Sequence, residues 1–404
     1  ADFSERRWIP PPPAARSAPG ASPATTSRNA PRWPKKSART SEFACVCPCS
    51  SPYVREPRAA LPRSLRGPPR RRLLRPRALA NAAWACAALA VAGAPLLDVL
   101  SSACSKPLRG PGGQAGLRWK AQELANTAWS FARLRIEGAP LMAAISAQSI
   151  AQISEFAPQA CANIAWSFST LVVRDAPLLR AVSSAARGSM VAEFRPQELA
   201  NLSWACARLA WRDLPLHYAI SAASPPVIAE FEPQHCANTA WACAVLMVHD
   251  VPLLQGIAAP SRQTMASSPG RWDPVELAGI AWAFATLRMA DASLDDAIAV
   301  ASMDRMGRGD YGSQELSNTA WAFATLDVQH LPLLQAISAA SMRRLGTFKA
   351  QEVEMTMWAF AHLHALPLAW GLFQALRAGG RAGSGLDRPG ARALLAECEQ
   401  RGKS

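Results

Sequence analysis

A tryptophan frame that recurs eight times constrains this chain more than any other feature. Taking the Trp of ELANTAWSFARL (123–134) as position zero, the same surroundings return at Trp84, Trp129, Trp166, Trp204, Trp241, Trp282, Trp321 and Trp358. The spacings are 45, 37, 38, 37, 41, 39 and 37 residues. A period of this length marks a repeat architecture, in which each unit is one supersecondary element that cannot cover its own apolar face and is stable only when stacked on a neighbour.

Each unit keeps the same grammar. Leu stands at +5 in all eight, Cys or Phe at +2, and Leu, Val or Cys at −5. Offsets −5, −1, +2 and +5/+6 share one face of a 3.6-residue helix, so the frame predicts a buried amphipathic helix of about 13 residues. The Trp is expected among the buried anchors, each contributing roughly 1.5–3 kcal/mol. Positions −1, +1 and +3 are almost always Ala or Ser, as at Ala128, Ser130 and Ala132. Such small side chains let a helix be sandwiched between others. Proline recurs at +11 (Pro95, Pro140, Pro177, Pro215, Pro252, Pro332), with Ser293 as the exception and Pro367 two residues early. Proline suits the first helical position, where its missing N–H costs nothing, so it predicts the start of a second helix. An aromatic at −10 of each later unit (Trp119, Phe156, Phe194, Phe231, Trp272, Tyr311, Phe348) closes one unit and opens the next. The expected fold is all-α: a solenoid of about eight stacked helical hairpins over 74–378, with a flexible or short helical tail at 379–404.

The net charge of +14 is concentrated outside this array. Residues 1–75 hold 16 Lys/Arg against 4 Asp/Glu, which leaves 27 against 25 for the remainder. With 14 prolines and no hydrophobic periodicity, 1–73 reads as a disordered leader. Its Arg-rich, Ser-rich, acid-poor composition is also that of an organelle transit peptide. Cys45, Cys47 and Cys49 within it lack a second pair or a nearby His, which argues against zinc. Cys86, Cys206 and Cys243 take a slot that Phe fills elsewhere, and Cys161 and Cys236 take a Leu slot, so all five read as reduced core residues. The stretch 79–97 is long and apolar enough to suggest a membrane span, but it aligns with the other seven frames, so no span is expected.

The recurring QELANTAWAFAxL with PLL about 11 residues later resembles the octotricopeptide repeats of chloroplast and mitochondrial RNA-processing factors. It is also similar to leucine-rich helical regions of FAST-kinase-type regulators and to a kinetoplastid RNA-editing substrate-binding subunit. The resemblance implies paired-helix repeats whose inner face binds single-stranded RNA in the mitochondrion or chloroplast, acting on transcript stability, processing or translation, with other RNA-processing proteins as further partners. Members often end in a nuclease-like RAP domain, for which 379–404 is too short.

The residues offer a matching stripe at −7, −3, +1 and +4 of the first helix. It comprises Gln122, Asn126, Ser130 and Arg133; Gln159, Asn163, Ser167 and Thr170; Gln197, Asn201 and Arg208; Gln234 and Asn238; and Gln314, Asn318 and Thr325. Amides present donor and acceptor together, which suits a base edge, and helical repeats read about one base per unit. The near-constant Asn serves equally well as a hydrogen-bonded ladder between hairpins. Variable neighbours, offset −2 (Thr127, Thr239, Thr319) and offset +4, are then the specificity candidates. Arg135, Arg174, Arg212 and Arg288 lie just beyond the helix, placed for phosphate. The six His fall at unrelated offsets and no Gly-rich phosphate loop occurs, so neither catalysis, metal, cofactor nor small-molecule substrate is expected. The competing reading is a protein-interaction scaffold that uses the same surface without RNA.

Overall fold

The structure is a computed structural model. It describes residues 75–90, 94–108, 118–136, 138–365 and 367–368; the leader, Cys45, Cys47 and Cys49, and the tail lie outside them. Fifteen α-helices and no strand occur among the described residues. The Trp frame forms α1 (Pro76–Ala88), α3 (Ala121–Arg133), α5 (Pro158–Thr170), α7 (Pro196–Arg208), α9 (Pro233–Val245), α11 (Pro274–Thr286), α13 (Ser313–Thr325) and α15 (Ala350–His362). All eight are 13 residues long, and Trp is the ninth residue of each. Between them run α2 (Ala94–Leu108), α4 (Ala139–Ala151), α6 (Ala176–Ala186), α8 (Leu214–Ala223), α10 (Val251–Ser267), α12 (Ala292–Arg308) and α14 (Leu331–Arg343).

The odd helices pack side by side as one layer, each on the next, and the even helices form a second layer behind them, each against its own hairpin partner. This is an all-α solenoid. Contact within the odd layer is the denser of the two because both flanks of each odd helix are small: Ala128, Ala132, Ala240, Ala283 and Ala322 are fully buried. Behind them, the Leu at −5 and the Phe or Cys at +2 are sealed against the second layer, with Leu124, Leu277, Phe168 and Phe323 at 0–2% exposure. Cys161, Cys206, Cys236 and Cys243 are buried as expected and Cys86 is half-buried. Burial pushes the four buried thiols up to about 12, so they pack as apolar groups.

Both ends of each hairpin are pinned by devices beyond proline. The second helix begins one residue earlier than its proline predicts, with proline as its second residue. The residue before the helix is the true cap: Asp175, Asp213, Asp250 and Asp291 each accept from a backbone N–H in the first turn at 3.0–3.1 Å. Asp291 caps the second helix of the sixth unit in the same way, although Ser293 stands there in place of proline. At the start of the first helix, Glu123, Glu198, Glu276 and Glu352 accept from the cap N–H at 2.8–2.9 Å.

The first helix always ends the same way. Position +6 is left-handed in all eight units, with φ between 51° and 57°. In units two to eight the next N–H bonds back to the carbonyl at +2 at 2.8–3.0 Å. This closure is usually a glycine's. Here it is Ala90, Arg135, Val172, Ala210, Met247, Arg288, Asp327 and His364, each non-glycine residue bearing about 1–2 kcal/mol of steric cost.

Candidate nucleic-acid interface

One face of each odd helix is its least covered: it carries exposed residues such as Gln122, Arg133 and Gln197 on α3 and α7, whereas on α9, α11 and α13 it is half-buried or closed. At 100° per residue, positions −7, −3 and +4 lie only about 20°, 60° and 40° from the Trp, while +2 and −5 lie on the far side. That face is therefore a strip of Gln, Asn, Trp and the +4 residue, repeated from helix to helix. Gln122 and Gln197 are exposed, and Gln159, Gln234 and Gln314 half-buried. Asn126 and Asn201 are half-buried, whereas Asn163, Asn238 and Asn318 are only 6%, 7% and 2% exposed. At +4, Arg133 is exposed and Thr170, Arg208 and Thr325 are half-buried.

Trp204, Trp241, Trp282 and Trp321 are 2–9% exposed, as the sequence leads one to expect, and Trp129, Trp166 and Trp358 are half-buried; all lie on this strip, on the opposite side of the helix from positions −5 and +2. Neighbouring indoles face one another at 29–32°, with ring centres 6.5 Å apart for Trp129 and Trp166, 6.5 Å for Trp166 and Trp204, and 6.4 Å for Trp282 and Trp321. Burial at Trp241 and Trp282 comes from neighbouring units, and Trp84, in the first unit, is 42% exposed. Groups at +4 lie over the indoles: the Arg133 guanidinium is 5.6 Å from the Trp129 ring and His362 stacks on Trp358 at 5.0 Å. The helical wheel that identified the amide stripe also contains position zero, so this was readable from the sequence.

The asparagine ladder does not form. Among the described residues no hydrogen-bond partner engages the side chains of Asn126, Asn163, Asn201, Asn238 or Asn318, and Asn318 Oδ1 is fully enclosed. Leaving such an amide unpaired costs about 1–3 kcal/mol. Position +1 also leaves the stripe: Ser130 and Ser167 are buried on a flank, donating to the carbonyls of Asn126 at 2.6 Å and Asn163 at 2.5 Å. Thr127, Thr239 and Thr319 at −2 are 0–1% exposed and lie away from the strip, so they cannot contact a ligand on it. Position −2 sits about 160° from the Trp, where packing rather than recognition selects the residue.

The two edges of the strip differ in charge. At the N-terminal edge the cations are consumed by ion pairs: Arg118 with Glu155, Arg195 with Glu198 at 2.7 Å, Arg271 with Glu232, and Arg305 with Asp273 at 2.8 Å. Burial pushes the capping Glu276 up to about 7, opposed by the hydrogen bond it accepts from the Asp273 backbone N–H and by Arg305, while the Asp273 charge adds to the shift. A groove of about 590 Å³ opens between the first turns of α3 and α5, lined by Arg118, Lys120, Gln122, Asn126, Gln159 and Asn163. At the C-terminal edge stand Arg133, Arg135, Arg174, Arg208, Arg212 and Arg288, all exposed but the half-buried Arg208. Among the described residues no ion pair engages Arg174, Arg212 or Arg288. His362 is paired with Asp327 at 2.7 Å.

Among the described residues no helix is long and apolar enough to cross a membrane, and the stretch at 79–97 is broken after α1. No protein-family model matches the chain, and comparison with curated proteins gives no match.

Proposed function

We propose that this chain binds single-stranded RNA along the least covered face of its tryptophan layer, with about one nucleotide per unit, as an organellar RNA-metabolism factor of the octotricopeptide type. The observation that supports this reading best is the coincidence of three features on one face: a stripe of Gln and Asn amides, neighbouring indoles, and an arginine-lined edge. Amides suit base edges, aromatic rings suit base faces, and guanidinium groups suit phosphates. The indole spacing of 6.4–6.5 Å is nearly twice the step of about 3.4 Å between stacked bases, so a strand in register with the units is splayed, the form that proteins read in RNA. Phosphates run along the C-terminal edge, where Arg174, Arg212 and Arg288 are exposed.

The test is a mobility shift of the full chain with short single-stranded RNA across a salt series. Engaging four to six arginines gives a log–log slope of roughly −3 to −4, or a loss of about 10²-fold between 50 and 200 mM salt. Changing Arg133 and Arg208 together to Glu should weaken binding further while helicity is unchanged. A protein-interaction scaffold would show neither effect.

A further inference from the structure

The amide strip is not uniform, and its one interior gap has a meaning if the strip holds RNA, a reading on which this inference rests. Units two to five and unit seven carry the same pair, Gln at −7 and Asn at −3: Gln122/Asn126, Gln159/Asn163, Gln197/Asn201, Gln234/Asn238 and Gln314/Asn318. Unit six has Val275 and Gly279 instead. Its helix α11 is otherwise built as the rest are, with 13 residues, the same cap, a buried Trp282 whose ring lies 6.4 Å from that of Trp321 at a tilt of 32°, and Thr286 at +4. The indole row is therefore unbroken at unit six while the hydrogen-bonding row is interrupted.

We propose that the strip reads a run of one base, adenine, opposite units two to five and again opposite unit seven, with a position opposite unit six that accepts any base. Identical amide pairs in an identical frame select the same base, and a carboxamide pairs in bidentate fashion with the adenine N6 and N7 atoms. No side-chain hydrogen bond to a described residue engages Asn163 or Asn238, so the 6–7% of each that reaches the surface is open to a base edge, and Asn318 keeps an enclosed Oδ1 that no protein group satisfies. Unit six keeps the ring surface for stacking, which tolerates every base. It lacks any side chain at −3 with which to discriminate.

The experiment is selection from a random 14-nucleotide single-stranded RNA pool by the full chain, followed by sequencing of the retained strands. The expected result is four consecutive adenines, one position with no preference, then a further adenine. Two variants move the gap. Val275→Gln with Gly279→Asn should fill it and impose adenine there about tenfold over other bases, and Gln159→Val with Asn163→Gly should open a second gap two positions from the end of the run. The second pair of changes copies residues that α11 already folds with, and a helicity measurement confirms that each variant remains assembled. Retained strands with a preference at the unit-six position, with different bases opposite the amide-bearing units, or with a gap that does not move with the substitutions would overturn the inference while leaving RNA binding intact. Failure to retain any strand would instead remove the RNA reading beneath it.

Discussion

Replacing His217 with Leu should make this protein more stable and less sensitive to acid. His217 lies in α8 at +13 from its Trp, a slot filled by Leu97, Met142, Leu179, Leu254 and Leu334 in other units. Those residues are 0–4% exposed, and His217 is 3% exposed with an Nε2 that finds no partner. An unsatisfied buried polar atom costs about 1–3 kcal/mol, and a leucine of similar volume removes that cost and adds apolar burial. The variant should gain roughly 1–3 kcal/mol at pH 7. Burial also holds the imidazole below its ordinary value of 6.5, with Arg212 adding to the effect and Asp213 and Asp250 opposing it. Because the folded value is depressed, the unfolded chain takes up the proton first as pH falls through 6.5, and folded stability declines with it. The limiting slope is about 1.4 kcal/mol per pH unit, so the wild-type chain should lose on the order of 1–2 kcal/mol more than the variant between pH 7 and 5. His235 is also lowered by burial and contributes a similar trend, but to both proteins alike, so their difference isolates His217. Urea unfolding followed by far-ultraviolet circular dichroism at the two pH values measures it. A variant that unfolds at lower urea, or two proteins with the same pH dependence, would refute the reasoning.

Asp295 occupies the equivalent slot in unit six, 4% exposed and raised to about 6 mainly by burial. Its penalty grows as pH rises from the unfolded value of 3.8 towards 6, so Asp295→Leu should stabilise most at pH 7–8 and least near pH 4, read from thermal midpoints. Val172 is a β-branched residue at φ 57° and 53% exposed. Val172→Gly should therefore raise stability by about 0.5–1 kcal/mol, because relief of left-handed strain exceeds the added chain entropy; a lower unfolding midpoint would contradict the strain argument. Phe323→Ala, at 2% exposure between the two layers, should cost about 3–5 kcal/mol and reduce cooperativity by uncoupling units on either side.

The period, the helix length and the paired-helix unit followed from the sequence alone. They depend on offsets within a few turns, and helical geometry converts an offset directly into a face. Leu124, Phe131 and the cysteines at Phe and Leu slots are therefore buried where the offsets place them. The caps Asp175, Asp213 and Asp250 were equally local but were hidden behind the prolines that follow them, and Asp291 stands where that proline is missing. Which surface stays open, however, depends on what each helix meets in space. Only the stacked layers show that the tryptophans are covered by one another, that Thr127, Thr239 and Thr319 are closed off, and that Asn163, Asn238 and Asn318 find no protein partner. Local periodicity selects the element, and the contact between elements far apart along the chain decides which of its side chains remain available to another molecule.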